Sequence, residues 1–350
     1  MIGLGKDVTD IVDKHAAHFQ KVLKECLKVK SEEILIISDY GVKDYNLASM
    51  MGYGFFQAAK SKSYNVNMVF QDVKKSFMHV DDHIKKSLQM LPEKNAVIVA
   101  CLSNKLGKLG QEGSSFRRFC NEKGYRFISS TGLGAVSSAN FPVFMESISI
   151  NYKRLQKKGF KIKEKLDKGS LVRVKTKAGT DITLSIRGSD AIANVGNYKE
   201  CGTGGNIPTG EVYIAPEGFT NVNGTLVIDG SLRHSEGTEL LRSPVTVDIK
   251  DGRVVGIHGE KAHLLEKSLQ IHEDRAKYPE RVRLIGEFGI GINPGAVLIG
   301  STILDEKVLG TAHIAIGSNY WFGGPIRTIF HADQVFKDPV IFIDGKKLEV

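Results

Sequence analysis

Side chains that can bind metal or move protons are concentrated in the last third of this 350-residue chain. They are Glu287, Glu306, His313, Tyr320, His331 and Asp333, and a further carboxylate, Glu211, precedes them in the loop-like run NIPTGEV. Carboxylates and imidazoles without thiolates form a donor set that suits zinc, manganese, cobalt or iron(II). The sequence therefore predicts a site for divalent metal.

Two short segments supply the imidazoles. In FHADQV, His331 and Asp333 are two positions apart, so in an extended strand both side chains face one side. His313 lies in the apolar run GTAHIAIG, where an imidazole without a partner would lose its hydration. The alternative is that His331 and His313 are ordinary surface or core histidines, the latter bonded to a backbone carbonyl.

Two carboxylates interrupt apolar, strand-like runs, Glu287 in RLIGEFGIGI and Glu211 in IPTGEVYIAP. A buried carboxylate is rarely tolerated unless it is paired or bound to metal. Gly286 and Gly289 leave room beside Glu287. The alternative is that both carboxylates point to solvent from half-buried strands.

The carboxylates are numerous enough to hold two ions. Two metal ions about 3.5 to 4 Å apart turn a bridging water into hydroxide and polarise a substrate carbonyl, which is hydrolase chemistry. Tyr320, in GSNYWFGG, can donate a hydrogen bond to a developing oxyanion, or it is simply an aromatic packing residue.

These residues must be positioned by a fold whose two halves differ. An amphipathic helix is predicted over residues 7–28, and the runs EILIIS, VNMVF, AVIVAC and YRFIS then alternate with helix-like stretches. This alternation predicts an N-terminal α/β domain, residues 1–165, with a mainly parallel sheet. LVRVKTK and DITLSI predict a hairpin, and further strands follow, so residues 166–350 are predicted to form a mixed, β-rich, metal-binding domain.

Composition restricts the other classes of protein. With 41% apolar and 25% charged residues the chain resembles ordinary folded proteins rather than disordered or membrane ones. No targeting segment is evident and the four cysteines form no CxxC pair, so we expect a cytoplasmic protein. The net charge of +9 is spread over short, interrupted basic groups without a nucleic-acid motif. We therefore expect neither nucleic acid nor membrane as a partner.

The motifs TGEVYIAP, IGEFGIGINPGA, STILDEKVLGTAHIAIGSNY and FHADQV, in this order, resemble the M29 family of metallopeptidases, the aminopeptidase T group. The resemblance extends from about residue 181 to the C-terminus. It implies a dimeric, intracellular aminopeptidase that removes N-terminal residues from peptides with two divalent ions, zinc, cobalt or manganese. It also implies that Tyr320 and Glu287 are catalytic, and that the metal ligands are Glu211, Glu287, Glu306, His313, His331 and Asp333.

Two other functions remain open. A ring-cleaving dioxygenase of the 2,5-dihydroxypyridine type uses a similar scaffold, and there His313, His331 and Asp333 would form a triad around one Fe(II). The presence of Glu211, Glu287 and Tyr320 as well favours the dinuclear hydrolase, because a single iron does not need them. The third possibility is a non-catalytic member of the same fold.

Overall fold

The computed structural model describes residues 4–75, 78–109 and 115–350. Its α-helices are α1 (Lys6–Asp13), α2 (Ala16–Glu25), α3 (Leu47–Lys60), α4 (Asp82–Gln89), α5 (Phe116–Lys123), α6 (Phe141–Ile148), α7 (Tyr152–Asp167), α8 (Ala262–Glu273) and α9 (Thr302–Asp305). The strands before residue 210 are β1 (Glu33–Asp39), β2 (Val66–Gln71), β3 (Ala96–Cys101), β4 (Arg126–Ser130), β5 (Leu171–Lys175), β6 (Asp181–Ser185), β7 (Ile192–Asn194) and β8 (Gly204–Asn206). The later strands are β9 (Glu211–Ile214), β10 (Val222–Ile228), β11 (Ser231–His234), β12 (Gly237–Leu240), β13 (Val245–Lys250), β14 (Arg253–His258), β15 (Ile285–Gly291), β16 (Thr311–Gly317), β17 (His331–Lys337), β18 (Val340–Ile343) and β19 (Lys346–Lys347).

The chain divides into two compact units. The first comprises Met1–Tyr152 and Gly196–Thr209, and the second comprises Lys153–Val195 and Gly210–Val350. After α7 and the hairpin β5–β6, with which the second unit begins, the chain returns to the first unit for a short segment. The domain boundary near residue 165 stays a prediction from composition.

The first unit contains a parallel sheet with the strand order β2-β1-β3-β4-β8. The predicted strands EILIIS, VNMVF, AVIVAC and YRFIS correspond to β1 to β4. β3 is buried along its whole length, as expected of a central parallel strand that is covered on both faces. The prediction of a mainly parallel sheet is confirmed.

The single helix predicted over residues 7–28 is instead two helices, α1 and α2. The chain leaves helical geometry at His15, which has φ −103° and ψ 11°. Val12 on one side of the break and Phe19, Val22 and Leu23 on the other side are all buried. The apolar spacing therefore continues across a backbone break that it does not reveal.

The second unit contains two antiparallel sheets. One has the order β14-β13-β10-β6-β5-β18-β19, and the predicted hairpin β5–β6 and a second hairpin, β13–β14, lie in it. The other has the order β12-β11-β17-β16-β15-β9-β7. Its central strands β15 and β16 are buried throughout. This confirms the predicted fold class, an α/β part with a parallel sheet followed by a β-rich part.

Within the described ranges, no helix is both long enough and apolar enough to cross a bilayer.

Candidate metal centre

The register of β15, β16 and β17 brings the acid and imidazole side chains to one face of their sheet. Glu287 lies opposite Ala315, which lies opposite Asp333 on the next strand. His331 is two residues before Asp333, so it projects from the same face.

The remaining two donors come from the neighbouring positions on this face. His313 on β16 lies opposite Gly289, and Glu211 on β9 lies opposite Gly291. Gly289 and Gly291 follow Glu287 at intervals of two along β15, so the same alternation holds. Four adjacent strands thus present their donors to one region.

Small residues make room for these side chains. A Cβ on Gly289 would lie 2.0 Å from His313 Nε2, so only glycine fits beside the imidazole. The register of β15 against β16 shifts between Ile285 and Glu287, which makes Gly286 the extra residue of a β-bulge. A Cβ on Gly286 would lie 2.3 Å from the Gly317 carbonyl oxygen. Bulges of this kind redirect the side chain that follows, here Glu287.

The donor atoms converge. His313 Nε2 is 3.2 Å from Glu287 Oε1, and His331 Nε2 is 3.7 Å from Glu287 Oε2 and 3.3 Å from Asp333 Oδ1. One ligand atom each from Glu287, His313 and Asp333 lies within 4.8 Å of the others. These three residues are buried, whereas His331 is partly exposed and forms the accessible side of the cluster.

The Nδ1 atoms of the two imidazoles have different environments. His331 Nδ1 donates to the Ser318 carbonyl oxygen at 2.8 Å, which makes Nε2, on the side of the carboxylates, the nitrogen available to a metal ion. His313 Nδ1 is buried and has no hydrogen-bond partner in the part of the chain that the structure describes. His331 is therefore oriented as a metal-binding histidine usually is, through a backbone acceptor.

Lys307 is the member of the site that the sequence interpretation missed. Its side chain has no exposed surface, and its Nζ lies 3.3 Å from Glu211 Oε1 and contacts Glu306 Oε1. Asn194 Nδ2 donates to the same Glu211 oxygen at 2.8 Å. The available signal was a lysine within the run LDEKVLG, between two apolar stretches, directly after a predicted ligand.

Negative charge exceeds fixed positive charge in this cluster. Although burial lowers the pKa of His313, the hydrogen bond to Glu287 and the nearby Asp333 raise it to about 9. Burial likewise lowers the pKa of His331, and Asp333 and Glu287 outweigh this and raise it to about 9. Burial raises the pKa of Glu306 to about 8, although Lys307 opposes the shift.

These shifts reflect a surplus of buried carboxylates. Protons on the two imidazoles and on Glu306 supply the compensation that the surplus of carboxylates demands. A divalent cation provides the same compensation without these protons, and imidazole nitrogen with carboxylate oxygen is a suitable donor set. The residues present therefore fit a divalent metal ion.

Tyr320 lies apart from this convergence. It stands in a 3₁₀ turn, Tyr320–Phe322, with 58% of its surface exposed, and the Arg327 guanidinium lies over its ring at 5.2 Å. Its neighbours contact the site, since the Trp321 ring meets the His331 ring edge-on at 4.5 Å. The structure thus places Trp321, rather than Tyr320, against a predicted ligand, and the catalytic role of Tyr320 stays a prediction.

Fold and site together define an α/β protein whose candidate metal donors lie on adjacent antiparallel strands. A family profile described as NicX: 2,5-dihydroxypyridine 5,6-dioxygenase matches residues 149–349, which is more than half of the chain. The chain therefore belongs to this family.

Individual relatives agree with this assignment. A curated 2,5-dihydroxypyridine 5,6-dioxygenase from Pseudomonas putida KT2440 is 25% identical over 185 residues, 50% of this chain and 51% of the relative. The match thus spans about half the length of that relative. The solved structure of 2,5-dihydroxypyridine dioxygenase from the same organism has a TM-score of 0.74 at 18% identity, covering 97% of this chain and 96% of that one.

The scaffold is also that of an aminopeptidase. Wild-type AmpT from Thermus thermophilus superposes with a TM-score of 0.62 at 16% identity, covering 96% of this chain and 97% of its own. At these identities the two structural likenesses establish the fold alone. The resemblance to the M29 family therefore holds for the scaffold.

The expectation of a metallo-aminopeptidase, a hydrolase acting on peptides, is wrong. The family profile and the curated relative both name a 2,5-dihydroxypyridine 5,6-dioxygenase. The expectation of two zinc, cobalt or manganese ions is also wrong, because the dioxygenase interpretation requires one iron. The surplus carboxylates that favoured two ions have another partner, because the Lys307 ammonium lies against Glu211 and Glu306.

Proposed function

We propose that this protein is an Fe(II)-dependent dioxygenase that opens the ring of a small dihydroxylated nitrogen heterocycle of the dihydroxypyridine type. One observation carries the proposal. His313, His331 and Asp333 lie on one sheet face, where His331 Nε2 is 3.3 Å from Asp333 Oδ1 and one ligand atom each of His313, Asp333 and Glu287 lies within 4.8 Å of the others. Two histidines and one carboxylate are the ligands of many iron(II) oxygenases, and membership of the family adds the kind of reaction.

Each protein group has a separate task in this proposal. His313, His331 and Asp333 hold the ion, and the Ser318 carbonyl keeps the His331 ring in orientation. Bound Fe(II) supplies the redox chemistry that lets O2 react with an electron-rich aromatic ring. Glu287, between the two imidazoles, is positioned to accept the proton that a substrate hydroxyl loses on binding.

The accessible side of the cluster suits a flat aromatic substrate. Trp321 and Phe322 pack edge to face, with Trp321 against His331 and Phe322 against Tyr213 at 5.2 Å. Tyr213 lies opposite Gly289, on the face that carries the ligands. These rings provide apolar faces on which a heteroaromatic ring stacks.

The decisive experiment measures oxygen consumption. Protein loaded anaerobically with Fe(II) is mixed with 2,5-dihydroxypyridine in an oxygen electrode, and the product is collected under ¹⁸O₂. In this reaction the O–O bond and one ring bond break, so we expect one O2 consumed per ring opened and both ¹⁸O atoms in the product. Iron-loaded protein that consumes no O2, but hydrolyses aminoacyl-p-nitroanilides with zinc, cobalt or manganese, would overturn the proposal.

Tyr320 is the candidate donor to a substrate oxygen. Its hydroxyl makes no hydrogen bond to any residue that the structure describes and is exposed beside the aromatic rings. Tyr320→Phe should lower turnover by about ten- to a thousandfold, the range for loss of one donor to a developing negative charge. Steady-state oxygen uptake measures this, and an unchanged rate would assign Tyr320 to aromatic packing.

A further inference from the structure

We infer that Lys307 is a built-in cation that occupies the position of a second metal ion and so limits this centre to one metal. The inference rests on the metal binding in the proposed function but not on its oxygen chemistry. Lys307 is fully buried, and its Nζ lies 3.3 Å from Glu211 Oε1 and in contact with Glu306 Oε1.

Glu211 links the ammonium to the metal ligands. One of its oxygens faces Lys307, and its other oxygen, Oε2, is 4.0 Å from His313 Nε2. In two-metal sites a carboxylate commonly joins the two ions in this way, each oxygen facing one cation. Here the cation on one side of that carboxylate is the Lys307 ammonium, which is part of the chain itself.

The backbone that carries Lys307 is held by hydrogen bonds, and the side chain is fully buried. The Lys307 carbonyl accepts from Asn293 N at 2.8 Å, and its own N–H donates to the Leu304 carbonyl at 3.0 Å. The preceding turn is held by Asp305, whose carboxylate accepts from Ile299 N at 2.8 Å and Ser301 N at 3.0 Å. A metal ion would therefore have to displace an anchored lysine.

Charge also opposes displacement. Lys307 Nζ lies against the carboxylates of Glu211 and Glu306, which favour the charged form of the side chain. A divalent ion in contact with it would meet direct repulsion. Without the lysine, two buried carboxylates would lack a counter-charge, and a metal ion is the cation that fits between them.

The test is metal stoichiometry in Lys307→Met, which removes the charge and the terminal nitrogen and keeps an unbranched side chain. Protein is loaded with Mn(II), desalted and measured by inductively coupled plasma mass spectrometry. We expect about one ion per chain in the wild type and about two in Lys307→Met. The matched control is Lys74→Met, because Lys74 is also buried and paired, with Asp81 at 2.5 Å, but lies in the first unit. It should bind one ion.

A second variant tests the location of the added ion. Lys307→Met combined with Glu211→Gln removes the bridging carboxylate and should return the stoichiometry to about one. Two ions in the wild type, or one ion in a Lys307→Met protein with native circular dichroism, would overturn the inference.

If Lys307→Met does not fold, crystals of the wild type soaked in Mn(II) decide the question. One anomalous peak beside His313, with none between Glu211 and Glu306, supports the inference, and a second peak there overturns it. Failure of oxygen uptake with one ion bound would contradict the proposed reaction alone, so the two failures are distinguishable.

Discussion

At the scale of single residues, the centre is a balance of buried charge. The carboxylates of Glu211, Glu287, Glu306 and Asp333 face one fixed cation, Lys307, and two imidazoles whose charge depends on protonation. A metal ion replaces protons in this balance. Mutations of the proposed ligands should therefore change metal binding.

His331→Ala should abolish tight metal binding and leave the fold intact, because the ring is partly exposed and is a proposed ligand rather than a core residue. Isothermal titration with Mn(II) should show at least a tenfold weaker affinity, the range expected from disturbing a site of this kind. His258→Ala is the matched control, since His258 is exposed and pairs with Asp248 at 3.0 Å in the same unit. Equal affinities for the two variants would remove His331 from the ligand set.

Metal binding should release protons at pH 7. The pKa of both His313 and His331 is about 9 in the metal-free protein, so at pH 7 both rings carry a proton that metal must displace. Apparent affinity should rise from pH 7 to 9 and level off above about 9. Isothermal titration in buffers that differ in their ionisation enthalpy measures the number of protons released on metal binding. No release at pH 7.5 would mean that the pKa values are close to 6.5, the usual value for histidine.

At the scale of elements, strand register decides which side chains meet. The bulge at Gly286 and the alternation along β15 place Glu287, Gly289 and Gly291 on one face. The glycines provide the volume that His313 and the segment around Lys307 occupy. The site is therefore a property of four paired strands and not of any one motif.

Gly289→Ala should disturb the site from the opposite strand. Its Cβ would lie 2.0 Å from His313 Nε2, so the ring must move away from its ligand position. We expect metal affinity to fall at least tenfold and thermal stability to decrease, in the range of about 1–3 kcal/mol for overpacking. Gly237→Ala, in β12 with nothing within 4 Å of the new Cβ, should leave both unchanged. Unaltered metal binding by Gly289→Ala would show that this close approach does not position His313.

At the scale of the whole molecule, the proposed metal ligands all belong to the second compact unit. The parallel sheet of the first unit carries none of them. Metal should therefore stabilise one part of the chain selectively.

Hydrogen exchange measures this selectivity. At a metal concentration of about 100 times Kd, binding adds about 2.7 kcal/mol to openings that release the ion. We expect slower exchange in β15, β16 and β17 and unchanged exchange in β1, β3 and β4. Equal protection in both units would contradict a site confined to the second, and His331→Ala should show much less protection in β15, β16 and β17 at the same metal concentration.

The sequence alone determined the types of donor and the strands that carry them. Isolated carboxylates and imidazoles in apolar runs predicted buried ligands, and Glu211, Glu287, His313 and Asp333 are indeed buried. The parallel first sheet and the hairpin β5–β6 followed from the alternation of apolar runs and turns. These features are local, because side-chain periodicity and the cost of burying charge act within a few residues.

Only the tertiary structure decided how the charges are shared. The sequence interpretation counted carboxylates and inferred two metal ions, since it could not show that the Lys307 ammonium lies between Glu211 and Glu306. Nor did it show the helix break at His15 or place Trp321 against His331. The contact of Lys307 with Glu211 joins residues far apart in the chain, and its distance, like that between Trp321 and His331, is set by strand register and packing. The number of metal ions that a carboxylate cluster holds depends on such distances, because the balance of charge is set by which charged groups lie close together.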